Sequence, residues 1–494
     1  MTMILVLPIM LPLLFMVALI FTRRWLAFQQ VFSLIASFAL TFLSALLLAE
    51  VSRKGIMTLQ LGGWPAPYGI TLVVDLLSAI MLTTTSFVAL VVMIYSPGFI
   101  DKERQTAGYY PLVFGLLMGV NGAFITGDIF NMYVWYEVML TSSFVLIALG
   151  GSAEQLRGSV KYVTISFVAS IFFVSAIGIM YGQAGTLNMA DLAYKMRSWE
   201  EMPYMNSALM LFFIAFSIKA ALFPFFFWLP ASYHTPPVAI TALFAGTLTK
   251  VGIYTMMRFY SLFVVEDVMF WKIFLLVIAG LTMTVGVLMA ASQFDIRKIL
   301  SFHIISQVGY MVMGLVIFTP QAVAAAIYFT VHNMLSKTGT FLAGGLVYQR
   351  SGSYDLKYLG GLYKSMPFLA LLFFVPAMSL AGIPPLPGFF GKLFLVKGGF
   401  AAGDYLITGV AIAVGLFTLF SMVKIWNEAY WKSEPENMPA PSRVSNLTLA
   451  ASSLLVLAVI LLGVFVGPVM KITHEAAVQL TDPLIYIQAV LGKQ

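Results

Sequence analysis

Long apolar runs, interrupted by short polar or Gly/Pro-rich stretches, set the pattern of this chain. They lie near residues 4–22, 26–50, 70–96, 108–126, 129–150, 158–183, 205–233, 237–261, 270–292, 296–318, 321–348, 367–399, 404–431 and 446–468. Most have the length, roughly 20 residues, that an α-helix needs to cross a bilayer core. The runs are continuous rather than alternating, which excludes a transmembrane β-barrel. The pattern predicts an all-α polytopic membrane protein with about fourteen transmembrane helices. The longest polar connections cover 184–204 (with Asp191, Lys195, Arg197, Glu200 and Glu201) and 432–445, too short for a second folded domain. The mixed tail, 470–494, is expected to lie at the membrane interface.

Composition agrees with this reading. The 494 residues are 61% hydrophobic and 10% charged, against about 25% charged in soluble domains. The chain has no cysteine, so iron–sulfur clusters, thiolate metal sites and disulfides are excluded. The net charge of +7 is small for this length, and nucleic acid is not an expected partner. Residues 1–21 lack the basic start and small-residue cleavage site of a signal peptide, so the first helix is expected to be retained. Thirteen basic residues, Arg443 among them, fall in or beside connections after odd-numbered predicted helices. Eight, including Lys493, follow even-numbered ones or lie in the tail. The excess places odd connections in the cytoplasm and both termini outside.

Six of the 27 basic residues remain once those close to the run ends are counted with the connections, and all six are lysine: Lys219, Lys250, Lys337, Lys392, Lys397 and Lys424. Arginine does not release its proton in a protein, whereas desolvation lets a buried lysine do so. Lys397 and Lys424 fall near helix ends, where a long side chain can snorkel to the interface. The other four are expensive in hydrocarbon and are expected to be functional. Glu137, in the fifth predicted helix, is the acidic counterpart, with Tyr133 and Thr141 one turn either side. Pro224 interrupts the seventh helix beside Lys219, and Pro384, Pro385 and Pro387 interrupt the twelfth before Lys392. Broken helices beside ionisable groups point to transport sites. His332 and Lys337, five residues apart, project in different directions and suit two stations on a path better than a metal clamp. His303 and Gln307 reach inward from the tenth helix, while Asp75, Asp128 and Glu428 sit near span ends as interface or tethering groups. No phosphate loop, nucleophile–base motif or metal-ligand cluster is visible, so neither an enzyme active site nor a cofactor is expected. The residues suggest a proton path.

The two proline-broken helices with buried lysines stand five helices apart. A five-helix unit repeated after an odd number of spans has inverted topology. The expected organisation is 1–107 (helices one to three), 108–261 (first unit, helices four to eight), 262–431 (second unit, helices nine to thirteen) and 432–494 (helix fourteen and the tail).

The blocks at 223–258, 295–310 and 379–392 resemble the signature blocks of the antiporter-like subunits shared by respiratory complex I and Mrp cation/proton antiporters. The resemblance spans nearly the whole chain. It implies fourteen helices with two inverted five-helix repeats and broken helices seven and twelve. It also implies a proton relay in which Glu137 matches the glutamate paired with Lys219, and Lys250 the linking lysine. His332 and Lys337 match relay positions of the eleventh helix, and Lys392 the terminal position, which is lysine in some members and glutamate in others. The expected partners are the other membrane subunits of a hetero-oligomeric antiporter, with H+ and, through the complex, Na+ as cargo, in a bacterial plasma membrane and without cofactors. Two alternatives remain at this point: a proton-pumping subunit of a complex I-type redox assembly, and a non-transporting scaffold.

Overall fold

Helix occupies all fourteen apolar runs, because a backbone surrounded by hydrocarbon must satisfy its own polar groups. The computed structural model describes residues 2–198, 203–435 and 444–492; Glu200, Glu201, Arg443 and Lys493 lie outside them. The chain begins with α1 (Leu7–Phe21), α2 (Leu26–Lys54), strands β1 (Met57–Gln60) and β2 (Thr71–Val74), and α3 (Leu76–Tyr95). Then come α4 (Tyr110–Ile125), α5 (Ile129–Ala148), α6 (Ala153–Ala184), α7 (Met189–Ser198), α8 (Met205–Ala220), α9 (Trp228–Tyr233) and α10 (Val238–Phe263). The second half holds α11 (Val268–Ser292), α12 (Ile296–Ile317), α13 (Pro320–Ser351), α14 (Pro367–Ala381), α15 (Pro387–Ala401) and α16 (Tyr405–Trp426). The chain closes with α17 (Asn446–Val464), α18 (Val466–Thr481) and α19 (Pro483–Leu491). Among the described residues, ten helices are long and apolar enough to cross a membrane, with α8 and α9 taken as one across their break. The chain is a polytopic helical membrane protein.

Three elements depart from the sequence expectation. The fold is not wholly helical: β1 pairs antiparallel with β2, Met57 opposite Val74 and Gln60 opposite Thr71. The predicted third helix therefore starts late, because Thr71, Val73 and Val74 are β-branched and suit a strand. Asp75 then caps α3 by accepting from the Ser78 amide at 2.9 Å. The polar connection after α6 carries α7, where Lys195 meets Asp191 at 3.2 Å. The tail forms two helices that bury one side each, through Ala476, Ala477 and Leu480 and through Tyr486, Ile487 and Val490.

α10 lies at the centre with every residue buried, beside the similarly buried α12 and α13. The outer helices α2, α6, α11 and α16 bury less than half of their apolar windows, leaving aliphatic and aromatic faces for lipid or partner subunits. Asp75 does more than tether a loop. Buried at 2% exposure, it pairs with Arg258 of α10, whose guanidinium lies 5.5 Å from the Tyr254 ring centre and 5.0 Å from that of Tyr486. This knot joins the end of the hairpin, the central helix and α19. Asp128 caps α5 through the Asn131 amide at 2.7 Å, and Glu428 pairs with Lys432 at 3.2 Å. Lys424 caps the end of α11, donating to Ala291 and Gln293 carbonyls at 3.0 and 2.8 Å.

Candidate functional site: buried lysines between two broken helices

The first break is made by more than Pro224. α8 ends at Ala220 because Ala221 turns left-handed at φ 60°. The carbonyls this frees are answered within the protein: Ser217 accepts from the Leu222 amide at 2.8 Å, and Ile218 from the Trp228 indole at 2.9 Å. The Phe223 amide donates to Thr282 Oγ1 of α11 at 3.0 Å. Lys219 occupies the last turn of α8, 8% exposed, where the dipole end of a helix favours a cation. Its ammonium donates to the Ser166 carbonyl at 3.4 Å and lies 5.9 Å from the Tyr136 ring centre.

Glu137 and Lys219 do not form a direct ion pair. Glu137 Oε1 accepts a 2.5 Å hydrogen bond from Ser170 Oγ. Ser170 also bonds to the Ser166 carbonyl at 3.1 Å, the same oxygen that receives Lys219. One turn of α6 thus stands between carboxylate and ammonium, and Glu137 still acts electrostatically on Lys219 across it. A hydrogen bond to a charged group is worth about 1.5–3 kcal/mol. Ser170→Ala is therefore expected to slow ion exchange in membrane vesicles by about tenfold while leaving the protein assembled, read against its abundance in the membrane.

Lys250 is wholly buried on α10 and donates to the Ala245 carbonyl of its own helix. It is linked to the first break by packing. A Cβ at Gly252 would lie 2.9 Å from the Ala220 amide nitrogen, so only glycine lets α10 cross this closely beside Lys219. Lys337 of α13 is also fully buried, and its ammonium has no hydrogen-bond partner among the described residues. Lys250 and Lys392 are the charges that act on it.

At the second break, α14 ends at Ala381, Gly382 is left-handed at φ 91°, and α15 restarts at Pro387. Pro384 and Pro385 lie inside the gap. Pro387 does not break a helix; it opens α15 at its first position, where a missing N–H costs nothing. Lys392 reaches back from α15 to the buried end of α14, donating to Leu380 and Ala381 carbonyls at 2.9 and 3.1 Å. Its ammonium lies 5.5 Å from the Tyr310 ring centre. His332 Nδ1 is within hydrogen-bond reach of Ser336 Oγ (3.1 Å) and Ser379 Oγ (3.3 Å). A Cβ at Gly388 would lie 1.8 Å from the Ser379 carbonyl oxygen and 2.9 Å from His332 Nε2, so α15 starts as close to His332 as a backbone can.

Further polar groups share this interior. Both ring nitrogens of His303, both amide atoms of Gln307 and Asn333, Thr249 Oγ1, Tyr233 Oη and His332 Nε2 are buried without a protein partner among the described residues. Native interiors rarely leave such groups unanswered, and ordered water is the usual partner. The charges that act on His303 are Lys337 and Lys392. The sequence points His303 and Gln307 inward without giving them a role, and Asn333 is missed. Its only signal is a polar residue next to His332 in an apolar run. At the surface, a vestibule of about 400 Å³ is lined by Asp101, Arg104, Gln155, Arg297, Gln349 and Tyr354. It opens on the face carrying the connections after odd-numbered predicted helices, at the Thr235–Pro237 turn. Next to that turn, His234 Nδ1 lies 2.7 Å from the Pro230 carbonyl, and burial holds its imidazole below the usual pKa.

The arrangement is a set of lysines facing neutral dipoles, spread over two broken helices and the helices between them. The family described as NADH:quinone oxidoreductase/Mrp antiporter matches residues 126–421, the segment that holds all of these lysines. The chain belongs to this family. The N-terminal segment of complex I chain 5 matches residues 65–110. Among members of the antiporter family, the D-type subunit of the Na+/H+ antiporter of Alkalihalophilus pseudofirmus is 46% identical over 98% of this chain and 99% of its own length. The corresponding antiporter protein from Bacillus subtilis is 39% identical over 98% and 99%. A chain in the structure of the Mrp complex from Dietzia sp. superposes with a TM-score of 0.93 at 30% identity, covering both chains completely.

Proposed function

We propose that this chain is the proton-translocating subunit of a multisubunit Na+/H+ antiporter of the Mrp type, a secondary transporter subunit rather than an enzyme. The observation that carries the reading is its full-length likeness to the D-type subunits of Na+/H+ antiporters. Protons enter from the cytoplasmic vestibule and pass along Glu137, Lys219, Lys250, Lys337 and Lys392, with His332 as a station at the second break. Water held by the unanswered groups of His303, Gln307 and Asn333 carries them between lysines. Glu137, displaced from or toward Ser170, changes the field on Lys219 and pushes its proton along the row. Each charge crossing 100 mV is worth about 2.3 kcal/mol, so electrogenic exchange draws on the membrane potential to expel Na+.

Fourteen spans, with α8–α9 and α14–α15 each counted as one, and both termini outside a bacterial plasma membrane complete the reading. Residues 1–107 precede two inverted five-helix units, 108–261 and 262–431, and 432–494 close the chain. Two matching features support the repeat. Asp128 caps the second helix of the first unit and bridges to Asn188 beyond its third. Asp295 caps the second helix of the second unit and bridges to Asp355 beyond its third. Purification of the native assembly tests the assignment: small membrane partners without redox subunits are expected, and co-purifying quinone-reducing subunits would overturn it.

A further inference from the structure

Where the start of α13, the end of α15 and α18 meet, a groove of about 590 Å³ opens at the surface. Lys397 of α15 and Lys471 and His474 of α18 line it together with Gln321, and Phe394 and Met470 form apolar walls. No carboxylate is among the lining residues. Neither lysine makes an ion pair among the described residues. Lys471 and His474 are three apart and so share one face of α18. The opposite face is buried through Thr473, Ala476, Ala477 and Leu480. Glu475 is exposed beside them but does not line the groove. The floor is smooth because it is made of small residues: Gly398 packs against Ala322, where a Cβ would meet the Ala322 Cβ at 3.1 Å.

The level of the groove follows from helix geometry. Lys397 is ten residues beyond Pro387, about 15 Å along α15 at 1.5 Å per residue. Half the hydrocarbon thickness is also about 15 Å. With the break near the bilayer centre, the three basic groups stand at headgroup depth, and the wall of Phe394 faces acyl chains.

From this we infer that the groove is a binding site for an anionic phospholipid. Its headgroup phosphate sits among Lys397, Lys471 and His474, and an acyl chain lies against Phe394 over the Gly398 floor. Charge complementarity and depth choose this occupant: free phosphate leaves the apolar half bare, and a zwitterionic lipid leaves the positive charge unbalanced.

The test uses the full chain in its purified assembly, placed in phosphatidylcholine nanodiscs with a photoactivatable phosphatidylglycerol. Label is expected within residues 394–401 and 470–474. It should be competed by unlabelled phosphatidylglycerol but not by phosphatidylcholine or inorganic phosphate. In K397Q/K471Q, both exposed positions, labelling should fall about thirtyfold, the effect of two basic groups near an anionic lipid surface. K471E alone should lower it comparably, and an unchanged melting temperature in phosphatidylcholine confirms folding. Labelling unchanged in the variants, competition by inorganic phosphate, or an acidic segment of a partner subunit cross-linked in place of the lipid would overturn the assignment.

Discussion

Lys219→Ala is expected to bring Na+-driven proton movement in everted vesicles down by about 10²-fold or more, the scale of removing a positioned proton-transfer group. The variant should still assemble. Among the described residues Lys219 donates only to the Ser166 carbonyl, and it sits at a helix end that Trp228 and Leu222 cap independently. Removing the ammonium therefore leaves the break closed and takes away only the station nearest Glu137. Glu137→Gln should give a similar loss, because the carboxylate acts on Lys219 through its charge while its bond to Ser170 survives in a neutral amide. Wild-type exchange in the lysine variant would remove Lys219 from the relay.

Asp75→Asn should act on folding instead. It leaves Arg258 buried without its carboxylate, at a cost of about 3–5 kcal/mol. That is a large share of the stability of an ordinary domain. The hairpin, α10 and α19 are joined at this point, so the loss should appear as low membrane abundance and a lowered melting temperature in detergent. Replacing both members, D75L/R258L, should recover part of the stability, since a neutral pair needs no compensation. Unchanged abundance of Asp75→Asn would mean that Arg258 finds another partner or water.

Much of this was legible in the residues. Continuous apolar runs mark helices because hydrocarbon forbids unpaired backbone. The charge pattern singles out six inner lysines, but it places Arg258 in a connection, whereas Arg258 is buried within α10 on Asp75. The β1–β2 hairpin was not legible as strand, since Thr71–Val74 is as apolar as the helix it precedes. Chain order could not reveal that Glu137 and Lys219 are separated by a turn of α6. Nor could it reveal that Lys392 caps the helix half before it, because both depend on which helices become neighbours. Pro387 misled in a simpler way: a proline interrupts a helix it falls within but readily begins one. Asn333 stands out only once burial shows it without a partner, and the same burial sets His303 and Gln307, which the sequence points inward, beside it as unanswered polar groups.

The relay requires that its lysines release protons rather than merely hold positive charge. Lys392→Arg separates the two, because a guanidinium can still donate to the Leu380 and Ala381 carbonyls and keep the end of α14 capped, yet it does not give up its proton. Na+-dependent proton flux in everted vesicles, normalised to assembled complex, is expected to be lost in this variant. Flux at the wild-type rate would contradict the relay.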